Sequence, residues 1–154
     1  MQNVSIKEIL LVDDDADECM LFELALKELD ANIRFVHASS CSAALKELES
    51  CNADLIFLDL KLRADSGYDC LKAIKASARL CNIPVVMYSG SQMPKDITLS
   101  YQHGAALYFN KSDSFGALVN ALRDILSLPW HEPEELRMRF LTNGTYSAKG
   151  LSAE

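Results

Sequence analysis

Five short segments rich in Ile, Val, Leu, Phe and Tyr recur along the chain, at residues 9–12, 33–36, 55–58, 85–88 and 107–109. Near-continuous apolar runs of this length predict strands covered on both faces, as in a parallel sheet. The intervening segments have helical spacing. Phe22, Ala25, Leu26 and Leu29 fall at i, i+3, i+4 and i+7; Ala44, Leu45 and Leu48 repeat this briefly, as do Leu71, Ile74 and Lys75. The longest stripe is Phe115, Leu118, Val119, Leu122 and Ile125, and a further helix is expected over residues 95–103. Strands alternating with helices predict right-handed crossovers and an α/β, doubly wound, five-stranded parallel sheet.

The punctuation agrees with this division. Gly67 is placed at the opening of the third helix, Pro84 before the fourth strand and Gly104 at the stop of the fourth helix. Ser112 and Asp113 are the candidate N-caps of the last helix. After Leu128 the texture changes, with Pro129, Trp130 and Pro133 breaking the pattern and residues 134–141 able to form one short helix. This divides the chain into a domain over 1–128 and an extension over 129–154, too short for a separate output domain. The extension is expected to lie as a helix or arm on the domain. Its rival role is dimer formation or partner docking, with Trp130, Leu136 and Phe140 as apolar anchors. Asn143-Gly144-Thr145 matches a glycosylation acceptor but reads as a turn in a cytoplasmic chain.

Composition narrows the function classes. At 154 residues and 49% hydrophobic content, one core is expected. A formal charge of −7 without a cluster of Lys and Arg disfavours nucleic acid as a partner. The apolar runs fall far below the ~18 residues of a membrane span, and residues 1–8 lack a signal-peptide pattern, so a cytoplasmic protein is expected. The five cysteines form no C-x-x-C pair, and the three histidines show no metal-ligand spacing.

In an open α/β sheet, ligands bind at the carboxyl edge of the strands. Strand one runs into Asp13-Asp14-Asp15, strand three into Asp59, strand four into Ser89 and strand five towards Lys111. Carboxylates gathered at one edge repel unless a cation intervenes. Ligation by oxygen alone selects a hard ion, and Mg²⁺ takes one or two carboxylates together with water and a phosphate. Asp59 is then the candidate nucleophile, forming an aspartyl-phosphate, with Lys111 and Ser89 neutralising or donating to the phosphoryl oxygens.

These residues resemble the response-regulator receiver family of two-component signalling. The resemblance rests on Ile9-Leu10-Leu11-Val12-Asp13-Asp14, Asp54-Leu55-Ile56-Phe57-Leu58-Asp59, Gly67, Val85-Val86-Met87-Tyr88-Ser89 and Lys111, and covers roughly residues 6–127. It implies a (βα)5 flavodoxin-like sheet in the order 2-1-3-4-5. It also implies that Asp14 and Asp59 ligate Mg²⁺ directly, that Asp13 does so through water, and that the Lys61 carbonyl is a further ligand. Asp59 would be phosphorylated by a sensor histidine kinase or phosphotransfer protein, and Ser89 and Tyr108 would form the switch read by a downstream protein. Such a chain catalyses only its own phosphorylation and dephosphorylation. Arg63 and Ser112 stand where the family commonly has proline, which disfavours a cis bond after Lys111, since a non-proline cis peptide costs about 3 kcal/mol. Lys61 and Ser91 lie two residues beyond Asp59 and Ser89, places that in the family influence attack by water.

Three rival readings are weaker. An aspartyl phosphatase could use the D-x-D within Asp13-Asp14-Asp15 but needs a later acidic pair, for which only Glu134-Glu135 is available, in the wrong context. A flavodoxin needs a hydroxyl- and glycine-rich phosphate loop where this chain is acidic. A receiver-like interaction module that is never phosphorylated has no reason to keep every reactive position filled.

Overall fold

In the computed structural model, residues 6–132, 135, 136 and 138 are described, together with the backbone of 146 and 147. Strands β1 (Glu8–Val12), β2 (Arg34–Ala38), β3 (Leu55–Leu58), β4 (Val85–Ser89) and β5 (Leu107–Asn110) alternate with helices α1 (Ala16–Leu29), α2 (Cys41–Glu47), α3 (Gly67–Ala76), α4 (Pro94–Gln102) and α5 (Phe115–Leu126). The five strands are parallel in the order β2-β1-β3-β4-β5, as expected. A sixth strand, β6 (Tyr146–Ser147), adds to the free edge of β5, also parallel. Two residues without an apolar run leave no periodic signal, which is why the sequence does not announce it.

Alternation along each strand divides the core between the two faces of the sheet. Leu11, Phe57, Tyr88 and Phe109 pack beneath α1 and α5 with Phe22 and Leu122. Leu10, Ile56, Met87 and Tyr108 pack beneath the other helices with Leu71 and Ile74. Phe22 meets Phe57 and Tyr88 edge-on, with ring centroids 4.9 and 5.4 Å apart, a favoured aromatic geometry. Trp130 and Leu136 of the extension are buried in the α1/α5 layer, and the Trp130 indole donates to Ile125 O. They lie on the domain rather than offering themselves as exposed anchors. Phe140 and Asn143-Gly144-Thr145 lie outside the described residues.

The helix starts are set by local polar chemistry. Asp15, Ser40 and Ser66 cap α1, α2 and α3 by accepting from backbone N–H groups of the first turn. One expectation is corrected: α5 is capped by Ser114, which accepts from Ala117 N, not by Ser112 or Asp113. Ser112 instead accepts from Ser114 N and folds the short loop that carries the chain out from Lys111. Gly104 has φ +105°, the left-handed conformation that ends α4. No cis peptide occurs among the described residues.

Candidate phosphoacceptor and metal site

The carboxyl edge of the sheet is assembled by backbone bonds that run one residue past the strands. Asp13 N donates to Ala38 O, Asp59 N to Val12 O and Lys111 N to Ser89 O, at 2.8 to 3.0 Å. These bonds carry three side chains from three strands to one place. Carboxylate oxygens of Asp13, Asp14 and Asp59 lie within 4.8 Å of one another. The Lys111 ammonium stands 3.0 Å from Asp13 Oδ2 and 3.1 Å from Asp59 Oδ2, and its Nζ lies 5.2 Å from the Tyr88 ring centroid.

Burial makes this charge balance consequential. Asp13 is fully buried, Asp59 is 7% exposed, and the Lys111 side chain is 17% exposed. Burial raises the pKa of Asp59; the Lys111 charge opposes that, Asp13 adds to it, and the net position is above the ordinary carboxylate range. For Lys111, burial pulls downward but the Asp59 and Asp13 carboxylates outweigh it, so the ammonium is held more firmly than usual. Glu18, in the first turn of α1, reaches 3.9 Å from Lys111 Nζ, and burial raises its pKa despite that cation. Three acids thus surround one buried ammonium, with Asp14 beside two of them, and the local excess of negative charge in an all-oxygen donor set suits a hard divalent cation.

The neighbouring bonds orient the donors. Asp13 Oδ1 accepts from Asp15 N and Asp59 Oδ1 from Lys61 N. Asp14 Oδ2 accepts from Arg63 N at 2.6 Å, a bond that proline at position 63 could not make. Asp15 is occupied as the α1 cap, bonded to Asp17 N and Glu18 N, which removes it from the D-x-D pairing that a phosphatase would use. Ser89 is buried at the end of β4 with its hydroxyl accepting from Ser91 N. Tyr108 is buried beneath the same loop and donates to Ser91 O at 2.8 Å. The structure therefore brings together Asp13, Asp14, Asp59 and Lys111, with Ser89 and Tyr108 joined through the β4–α4 loop. For Lys61 it displays the amide on Asp59.

A family model, the response regulator receiver domain, matches residues 9–123. The chain belongs to the response-regulator receiver family. Among curated relatives, a probable cyclic di-GMP phosphodiesterase of Vibrio cholerae serotype O1 is 31% identical over 77% of this chain. The chain spans 26% of that relative's length, and 16% of the length of a Vibrio cholerae autoinducer sensor kinase/phosphatase that is 28% identical. Among solved structures, the phosphorylated cyanobacterial phytochrome response regulator RcpA superposes with a TM-score of 0.68 at 26% identity, covering 92% of this chain and 98% of that one. The Mn²⁺-bound form of response regulator Rcp1 superposes with a TM-score of 0.66 at 29% identity, covering 73% of this chain and 86% of that one. Receivers hold a divalent metal at an acidic pocket, and Asp13, Asp14 and Asp59 form such a pocket in this receiver.

Two participants went unread in the sequence. Glu18 follows the α1 cap Asp15 by three residues, so the capping-box spacing could have drawn attention to it. Asp96, which gathers Ser91 and Tyr68, carries no motif; its place emerges only when α3 and α4 are side by side.

Proposed function

We propose that this receiver accepts a phosphoryl group on Asp59 in a Mg²⁺-dependent reaction and passes the signal on by protein–protein contact. The observation that carries this reading is the Lys111 ammonium bridging Asp13 and Asp59 inside a cluster of carboxylates that still holds excess negative charge. The donor is the phosphohistidine of a sensor histidine kinase or phosphotransfer protein. A carboxylate oxygen of Asp59 attacks phosphorus, a P–O bond forms, the P–N bond breaks, and the electron pair leaves with the imidazole. Burial favours the reaction by stripping water from Asp59 and raising its basicity. Bound Mg²⁺ supplies charge neutralisation at the phosphoryl oxygens, with Asp13, Asp14, Asp59 and the Lys61 carbonyl as the ligand set. Lys111 exchanges a carboxylate partner for a phosphoryl oxygen, and the Ser89 hydroxyl donates to another.

The product adds about two negative charges where the site is already anionic. Ser89 and Tyr108 report that change, because both hold the β4–α4 loop at Ser91. Its reactions are confined to its own phosphorylation and dephosphorylation, and they belong to the cytoplasm, where free thiols such as these five cysteines persist.

Incubation with Mg²⁺ and a small acyl phosphate, followed by intact-mass measurement, tests the reading. One labile phosphoryl adduct is expected, lost in Asp59→Asn and on chelation of the metal. An adduct that persists in Asp59→Asn would place the chemistry elsewhere.

A further inference from the structure

Beyond the metal pocket, a second polar network joins α3, α4 and the loop that follows Ser89. Asp96, in the first turn of α4, accepts from Ser91 Oγ at 2.5 Å through Oδ2 and from Tyr68 OH at 2.6 Å through Oδ1. Those two hydrogen bonds, aided by the charges of Lys61 and Lys95, hold the Asp96 carboxyl below the usual carboxylate range. An ionised carboxylate only accepts, so both hydroxyls donate to it. Ser91 Oγ is then left to accept from Met93 N, at 3.2 Å. Tyr68 is the second residue of α3, directly after Gly67, whose amide donates to Leu60 O beside the phosphoacceptor.

The other side of the loop is fixed from β5. Tyr108 OH and Asn110 Nδ2 both donate to Ser91 O, at 2.8 and 2.9 Å, and Asn110 Nδ2 also reaches Ser89 O. Gln92 Nε2 closes on Asn110 Oδ1 at 2.8 Å. Ser91 is therefore clamped by its carbonyl to β5 and by its side chain to α4 and, through Asp96, to α3. Its amide in turn donates to Ser89 Oγ at 3.1 Å. That bond occupies a lone pair of the Ser89 hydroxyl, which also lies within hydrogen-bonding reach of the Tyr108 hydroxyl.

We propose that Asp96 is a positioning residue for phosphoryl transfer: by holding Ser91 against Tyr68 it fixes the Ser89 hydroxyl in the orientation that donates to the phosphoryl group on Asp59. The inference rests on the proposed phosphorylation of Asp59, and it adds a residue that touches neither metal nor phosphate. Loosening Ser91 lets the Ser89 hydroxyl rotate, so transfer slows while the metal ligands stay in place. Because only part of such a bond's strength is felt at Ser89, losing one from the clamp corresponds to a roughly three- to tenfold slower reaction.

The test uses the full chain, Mg²⁺ and a small acyl phosphate, and reads the rate of adduct formation beside Mg²⁺ affinity by calorimetry. Ser91→Ala and Asp96→Ala are expected to slow the adduct with Mg²⁺ affinity unchanged, and Ser91→Thr, which keeps a γ-hydroxyl, to restore the rate. Tyr68→Phe combined with Ser91→Ala is expected to be no slower than the worse single variant, because both act through one carboxylate. Since Asp96→Ala can also weaken the start of α4, the Ser91 and Tyr68 variants, judged on this pattern, decide the matter. Wild-type rates in Ser91→Ala, equal losses in Ser91→Ala and Ser91→Thr, or additive losses overturn the inference alone. Absence of any adduct on the unsubstituted chain overturns the proposed phosphorylation of Asp59, and the inference with it.

Discussion

Lys111 shows how a single residue can serve two electrostatic states. Without a metal, its ammonium is the counter-charge that lets buried Asp13 and Asp59 coexist, at 3.0 and 3.1 Å. It also offsets part of the field that the same carboxylates would exert on a divalent cation. Lys111→Ala therefore removes a competitor for the metal as well as a partner for phosphate. The expected outcome is Mg²⁺ binding several-fold tighter than in the unsubstituted protein, together with poor coupling of phosphorylation to any partner. Calorimetric titration checks the first part, and weaker Mg²⁺ binding would contradict the assigned charge balance. Arg63 makes a related point: a residue read as a departure from the family's proline supplies the amide that holds Asp14.

At the scale of elements, the site depends on how closely α3 approaches the end of β3. A Cβ on Gly67 would collide with the Asp59 carbonyl oxygen and stand 2.6 Å from Leu60 Cα. Both obstacles are backbone, so neither can swing aside. Gly67→Ala is expected to destabilise the fold by about 1–3 kcal/mol and to displace the phosphoacceptor. Urea unfolding checks the first effect and the yield of phosphoryl adduct checks the second; unchanged values in both would show that α3 yields freely. The strands were legible in the sequence because burial on both faces leaves short, nearly continuous apolar runs. Asp13, Asp14, Asp59, Ser89 and Lys111 were legible because each follows such a run within two residues. The α5 cap was misplaced because Ser112, Asp113 and Ser114 offer similar chemistry, and only loop geometry selects Ser114. The Tyr68–Asp96–Ser91 bridge left no trace, since it joins elements whose proximity no local pattern encodes.

For the whole molecule, one sheet serves two purposes. Its alternating faces hold the helices in two apolar layers, and its carboxyl edge gathers charges that those layers could not tolerate. Trp130 and Leu136 extend one layer beyond α5, and β6 adds to the edge of β5, so the segment after residue 128 contributes to both core and sheet. No described helix is long and apolar enough to cross a membrane. Signalling by this molecule depends on covalent chemistry at one carboxylate. Borohydride reduces an acyl phosphate to the corresponding alcohol, so treating the phosphorylated protein and mapping its peptides locates the modified side chain directly. Homoserine at position 59 alone is the predicted result; homoserine at position 13 or 14, or at none of the three, would contradict it.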